Sequence, residues 1–355
     1  MSVLSTAATA LGAGEWCILT TNNWVEGFIR TPDQTTGTCI LDYGGNLCWD
    51  PINKWMLYYN FGGHNEGNRH IIRYAENTGG GATANTWDYY YVHTGETFHA
   101  YDQVAITPDT GRLWFWDIAN DGKLLEFTGS GFTQRKGATG APEYSIGSMD
   151  YFPENAAFYG NNQGGLYKCT RPGYVVSDIE VDYPYHGQGY HTGAVYCPVT
   201  KKMVLYGNDT NIVVIMAENE TLTESTAPIA TVDMPNHTLT ACPVTGDLLL
   251  VSHTGGFYKM NSATGVWSAA LSNPYAVKGG GDVDGAWVTA AGPISDYGVI
   301  MFAQWHTSGH RVLLYKHAAS VANPLIGTAN ATYAVTDDFN GTLRSTLFDV
   351  GCYET

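Results

Sequence analysis

The sequence predicts an all-β fold: a six-bladed β-propeller of four-stranded antiparallel blades. Three observations predict it. Prolines recur in one context, as Asp50-Pro51, Thr107-Pro108, Phe152-Pro153, Cys197-Pro198, Cys242-Pro243 and Gly292-Pro293, at a period of roughly 45 residues that marks a repeat of one supersecondary unit. Each proline opens a short polar turn between two apolar, β-rich runs, the pattern of a hairpin. Finally, 42 glycines, 13% aromatic and only 14% charged residues suit many short strands joined by tight turns and supply too few helix formers for long helices.

The elements of each unit can be taken in order. A first strand ends at the proline, as in "GAVYC" and "LTAC". The second follows the turn: "NKWMLYY", "DTGRLWFW", "ENAAFYG", "VTKKMVLYG", "VTGDLLLVS" and "ISDYGVIMF". A Gly/Asn/His-rich turn then leads to a third: "HIIRYA", "KLLEFT", "GLYKCT", "IVVIMA", "GFYKMN" and "RVLLYK". Five units continue into a fourth: "TWDYYY", "FTQRKG", "YVVSDI", "LTEST" and "VWSAAL". The sixth does not, while "GEWCILTT" near the N-terminus is a strand with nothing before it. Pairing Gly14–Thr21 onto blade six closes the ring and removes an exposed edge. The expected organisation is an N-terminal arm at 1–13, the propeller at 14–317 and a C-terminal tail or arm at 318–355. An alternative topology lets the tail supply the missing strand.

Charge and cysteines exclude several classes. A net charge of −16 argues against nucleic acid and against anionic membrane surfaces, both of which need a basic stripe. No apolar run approaches the length of a membrane span. The N-terminus lacks the positive region of a secretory leader, its first basic residue being Arg30. Seven cysteines are spread without a C-x-x-C pair, which predicts buried free thiols rather than a zinc site. "CPVT" occurs twice, at Cys197 and Cys242, and the period makes both copies equivalent turns of adjacent blades. No H-E-x-x-H, G-x-S-x-G, Walker or dinucleotide fingerprint is present.

Blade one carries Gly62-Gly63, Tyr74 and Trp87, and blade five Gly255-Gly256, Tyr258 and Trp267; blade three keeps Gly164-Gly165 and Tyr167 without the Trp. This Gly-Gly, Tyr, Trp order resembles the kelch-type propellers over about residues 14–317. Blades two, four and six depart from it, so the resemblance is to a degenerate array. It implies a propeller and speaks to fold far more than to activity.

Up-down alternation puts the proline turns on one face of the ring and the second-to-third-strand and interblade loops on the other. Nine of the eleven histidines map to that loop face. The candidate ligand-binding residues there are His99, His186, Tyr190, His191, His237, His253, Asp284, Trp305 and His306. His99, His191 and His237 stand at the starts of innermost strands and should face the mouth of the central channel. Three readings of the face stay open. These residues can simply populate solvent turns. They can recognise a glycan or a protein through aromatic stacking and hydrogen bonding. Or converging imidazoles can hold a divalent metal or do catalysis, an arrangement similar to that of some propeller polysaccharide lyases.

The C-terminal "DDFNGTLRSTLFDVGCYE" looks like the closing segment of certain bacterial and phage surface β-proteins, and the Gly/Thr/Asn/Tyr-rich, Lys-poor composition resembles that of phage virion proteins. The expectation is a non-catalytic structural or adhesion propeller on a virion surface or outside the cell. It would need no cofactor, and its terminal arms would contact other virion or surface proteins. The alternative is a carbohydrate-active lyase or hydrolase, with a divalent metal on the histidine-rich face.

Overall fold

The computed structural model describes residues 1–29, 41, 44–61, 68–94, 102–117, 123–136, 147–162, 165–180, 192–207, 211–229, 237–279, 287–306 and 309–319. Met1–Ala318 form one compact unit, and Ala319–Thr355 are a second. The chain opens with α1 (Val3–Ala10), β1 (Glu15–Ile18) and the short helix α2 (Glu26–Ile29). Blade one is β2 (Cys48–Asp50), β3 (Trp55–Phe61), β4 (Asn68–Ala75) and β5 (Thr86–Thr94). Blade two is β6 (Val104–Thr107), β7 (Arg112–Asp117), β8 (Lys123–Phe127) and β9 (Phe132–Lys136). Blade three is β10 (Ser148–Phe152), β11 (Ala157–Asn162), β12 (Gly165–Thr170) and β13 (Val176–Glu180). Blade four is β14 (Thr192–Cys197), β15 (Lys202–Gly207), β16 (Ile212–Met216) and β17 (Leu222–Thr226). Blade five is β18 (His237–Ala241), β19 (Leu248–Ser252), β20 (Phe257–Asn261) and the two-residue β21 (Val266–Trp267). Blade six is β22 (Trp287–Ile294), β23 (Val299–His306) and β24 (Arg311–Lys316), completed by β1.

The predicted six-bladed ring and its closure are therefore present. β1 pairs antiparallel with β24, Glu15 opposite Lys316 and Ile18 opposite Leu313. That occupies the edge which the alternative topology reserved for the tail. No helix among the described residues is long and apolar enough to cross a membrane.

The period-2 alternation of strands explains how one sequence repeat fills two interfaces. Leu113 and Phe115 of β7 pack into the seam with blade one, while Trp114 and Trp116 pack into the seam with blade three. Met203 and Leu205 of β15 face blade three, and Val204 and Tyr206 face blade five. Each of the six seams thus holds its own apolar cluster. Fully burying each such side chain is worth about 1.5–3 kcal/mol. Cys197 and Cys242 are fully buried in successive seams, four–five and five–six. The doubled "CPVT" is scaffold.

The proline-turn face adds a belt of polar ties between neighbouring blades. Arg171 of blade three meets Asp109 of blade two at 2.9 Å. The Tyr196 hydroxyl of blade four donates to Glu154 of blade three at 2.7 Å. Thr200 and Ser262 join blades four and five at 2.5 Å, and His317 lies 3.2 Å from Asp247 across seam five–six. Lys54 meets Asp296 at 2.6 Å across seam six–one. The more exposed pairs, Arg171–Asp109 and Lys54–Asp296, contribute at most about 1 kcal/mol each, so these two set blade register more than they supply stability.

The seam between blades six and one is special because it joins the two ends of the ring, and residues 1–29 fill it. Sequence reading left 1–13 as an arm. Residues 3–10 instead form α1, capped by the Ser2 side chain accepting from Ser5 N. Its Leu4 and Ala8, one turn apart, are buried in the seam cluster. Ser2 also donates to Glu76, which accepts from the Tyr297 hydroxyl of blade six. On the other side of the seam Trp24 lies 4.5 Å from Trp87 between ring centroids and donates Nε1–H to the Gln304 carbonyl at 3.2 Å.

Candidate functional site

Asp102, Ser148, Thr192 and His237 stand at equivalent places, at or just before the first residue of the innermost strands of blades two to five. They define the loop-side end of the central channel. All four are buried, His237 to 3% exposure, and those at blades two to four join one hydrogen-bonded network. Met149 N donates to the Asp102 carbonyl at 2.8 Å, bringing the inner strands of blades two and three together. Ser148 donates to Asn161 Oδ1, and Thr192 Oγ1 donates to the Asn161 carbonyl at 3.1 Å. Asn161 Nδ2 donates to the Tyr206 carbonyl at 3.3 Å.

Tyr206 closes this network across the channel. Its hydroxyl lies 3.4 Å from Asp102 Oδ2, while Gly45 N of blade one donates to Asp102 Oδ1 at 2.6 Å. The phenol reaches inward over Gly193, where a Cβ would sit 1.7 Å from Tyr206 Cζ. Only glycine admits the ring at that point. Burial pushes the Asp102 carboxyl up to about 6, against the opposing hydrogen bonds from Gly45 N, Asn46 N and the Tyr206 hydroxyl. Asp150, two residues below Ser148, is pushed up to about 7 by burial, partly offset by donation from Tyr196 N and Tyr151 N.

The other half of the channel end is built by blades five and six. Thr238 Oγ1 donates to the Thr289 carbonyl at 2.8 Å. Gln304 Nε2 donates to Thr289 Oγ1 at 3.3 Å, and Arg311 Nε to Gln304 Oε1 at 2.8 Å. His237 packs edge-to-face with His253, ring centroids 5.8 Å apart. His253 is exposed on the turn between β19 and β20. The Ser252 hydroxyl fixes that turn by accepting from Gly256 N at 2.9 Å.

Of the residues named from sequence, the structure brings His237 and His253 together at this mouth. Trp305, on β23, is 2% exposed and belongs to the apolar cluster of the six–one seam. His99, His186, Tyr190, His191 and Asp284 lie outside the described residues, as does the side chain of His306. Among the described residues no group of three or more His, Cys, Asp or Glu could hold a metal. Sequence reading passed over Asp102, Ser148, Asn161 and Tyr206. The signal for Asp102 and Thr192 was available: like His237, each precedes its turn proline by the same offset.

No family model and no curated protein sequence matches the chain. Solved structures do. Virginiamycin B lyase from Staphylococcus aureus is 12% identical, with 86% of this chain and 90% of that one covered and a TM-score of 0.51. A catalytically inactive variant of that lyase with quinupristin gives 12% identity, 85% and 99% coverage and a TM-score of 0.52. A gluconolactonase from Xanthomonas campestris gives 10%, 78% and 88%, and 0.49. The likeness is one of fold. The chain is a six-bladed β-propeller whose fold neighbours include enzymes.

Proposed function

We propose that the chain is a recognition propeller that binds a glycan at the loop-side mouth of its channel, in a structural or adhesion role. One observation carries this reading: the two ends of the inner strands differ in chemistry. The proline-turn end carries ion pairs and polar ties between blades, whereas at the loop end a buried, hydrogen-bonded floor of hydroxyl, amide and carboxyl groups from blades two to six underlies the exposed imidazole of His253. Loops carried on such a scaffold are where binding function collects. The finer reading is a kelch-like virion component, a decoration, fibre-associated or host-adhesion protein on a virion surface or outside the cell. Residues 318–355 would reach other virion or surface proteins. The sequence pattern of Gly-Gly, Tyr and Trp in blades one and five is what suggests the kelch-like part, and composition the virion part. Glycan-array binding by the purified protein, lost in His253→Ala with an unchanged melting temperature, tests recognition. Stoichiometric recovery of the chain in particles tests the virion role.

A carbohydrate-active lyase or hydrolase is the second reading, favoured by Asp102. A carboxyl group held up to about 6 beside a tyrosine hydroxyl is able to exchange a proton near neutral pH. Release of reducing or unsaturated ends from polysaccharides, abolished in Asp102→Asn, would establish it. A chelator-sensitive rate would add a divalent metal.

A further inference from the structure

We infer that Arg311 anchors an anionic group, so that the glycan taken at the loop-side mouth is an acidic one carrying carboxylate or sulfate; this rests on the recognition reading above. Among the arginines whose side chains are described, Arg73 meets Asp88, Arg112 and Arg135 both meet Glu126, and Arg171 meets Asp109. Arg311 meets no carboxylate among the described residues. Its partners are neutral: Nε donates to Gln304 Oε1 at 2.8 Å, Nη2 donates to the Tyr275 carbonyl, and the guanidinium stands 5.7 Å from the Tyr275 ring centroid. Burial pulls the guanidinium below its ordinary value, opposed by Tyr275 alone. The group still stays charged at any physiological pH, so a fixed, partly desolvated positive charge stands here without a counter-charge.

Arg311 is the half-buried first residue of β24, at the loop end of blade six. It ends a row of polar side chains that runs outward from the channel. Thr238 Oγ1 donates to the Thr289 carbonyl, Gln304 Nε2 to Thr289 Oγ1, and Arg311 Nε to Gln304 Oε1. Gln304 and Thr289 are each 1% exposed, so the row is a rigid backing that fixes the plane of the guanidinium. Residues 273–279 tie the exposed His253 turn to the same row. Gly279 N donates to the Ser252 carbonyl at 3.0 Å, Asn273 Nδ2 to the Gly255 carbonyl at 2.9 Å, and Thr289 Oγ1 to the Lys278 carbonyl. One short segment thus holds both Arg311, through the Tyr275 carbonyl, and the turn that carries His253.

A guanidinium has five N–H donors. Arg311 uses one on Nε and one on Nη2 within the protein, which leaves the pair on Nη1 and the second on Nη2. That is the fork which takes a carboxylate or sulfate through two parallel hydrogen bonds. A neutral hydroxyl can accept from it too, but only an anion also compensates the charge. The chain charge of −16 repels an anion at long range. At physiological ionic strength that field is screened beyond about 8 Å, whereas the fork acts at hydrogen-bond distance. The exposed imidazole of His253 adds a hydrogen-bonding group for sugar hydroxyls on the adjoining turn.

The experiment is retention of the purified protein on immobilised acidic glycans (polygalacturonate, alginate, dextran sulfate) and neutral ones (the methyl ester of polygalacturonate, dextran, mannan). Polygalacturonate and its ester share one backbone and differ in charge, as do dextran sulfate and dextran. The expected result is retention on an acidic member that is at least about tenfold weaker on its neutral counterpart. A loss of similar size is expected in Arg311→Gln at an unchanged melting temperature, and a smaller one in Arg311→Lys, which keeps the charge without the fork. The paired ligands need no variant and decide the matter even where Arg311→Gln fails to fold. Equal or stronger retention on the neutral members, or acidic retention that Arg311→Gln leaves intact, overturns the inference while leaving recognition standing. No retention on any member of either class overturns the recognition reading itself.

Discussion

The Tyr206 hydroxyl of blade four lies 3.4 Å from the Asp102 carboxylate of blade two, so two blades that are not neighbours meet across the channel. The contact depends on Gly193, over which the phenol passes. Gly193→Ala forces the ring out of the channel, and overpacking of this kind costs about 1–3 kcal/mol. The expected outcome is a lower denaturant midpoint with an unchanged m-value. A second change that removes the ring, Tyr206→Ser, should make the Gly193→Ala substitution nearly silent in a double-mutant cycle.

Asp102 also sets a pH dependence whose direction follows from its environment. Burial raises its carboxyl from 3.8 to about 6, so the ionised form is less welcome in the fold than in the unfolded chain. Its contribution to stability is full below about pH 4 and is lost as pH rises through about 6, by roughly 3 kcal/mol. Asp247 acts in the opposite sense. Burial pushes it up, but hydrogen bonds from His317 and Thr245 and the charges of Lys259 and His317 hold it below the usual carboxylate range. Its contribution is present above about pH 4 and is lost in stronger acid. Stability should therefore peak in mild acid. Asp150, raised to about 7 by burial, acts in the same sense as Asp102, so in Asp102→Asn the decline between about pH 4 and pH 6 should become shallower while that up to about pH 7 persists, as followed by urea midpoints.

How much of this was legible depended on the physical signal. Proline turns and period-2 apolar runs repeat, so the blade count, the closing role of Gly14–Thr21 and the scaffold role of Cys197 and Cys242 could be read directly. Trp305 could not, because an aromatic residue near a strand end looks the same whether it meets a ligand or the apolar cluster of a seam. Asp102 was passed over since its meaning comes from Tyr206, Gly45 and Gly193, residues of other blades that only the ring brings together. Helix α1 was missed because "VLSTAATA" is short and small-residued, and its apolar face has a partner only after closure.

The six–one seam is predicted to be where the ring is most sensitive to mutation. Trp24 joins the Trp87 ring to the Gln304 carbonyl, linking the N-terminal segment to both end blades at once. Trp24→Ala should cost about 3–5 kcal/mol, the range for a buried aromatic. It should also expose residues 1–29 to limited proteolysis before the other blades. Equal proteolytic sensitivity in all blades would show that the seam is no weaker than the rest.

The cysteines give a last test, which separates scaffold from chemistry. Cys48, Cys169, Cys197 and Cys242 are buried and free of disulfides. Burial is the main force raising the Cys48 thiol, and it pushes Cys197 up to about 12. A thiol reagent attacks the thiolate, which burial disfavours at Cys48 and Cys197, and at all four sites it must also reach a buried sulfur. Native protein at pH 8 should therefore titrate at least four fewer thiols than protein in guanidinium chloride. Rapid native labelling of Cys197 or Cys242, located by peptide mapping, would mean that the repeated "CPVT" turns open in solution and are more than scaffold.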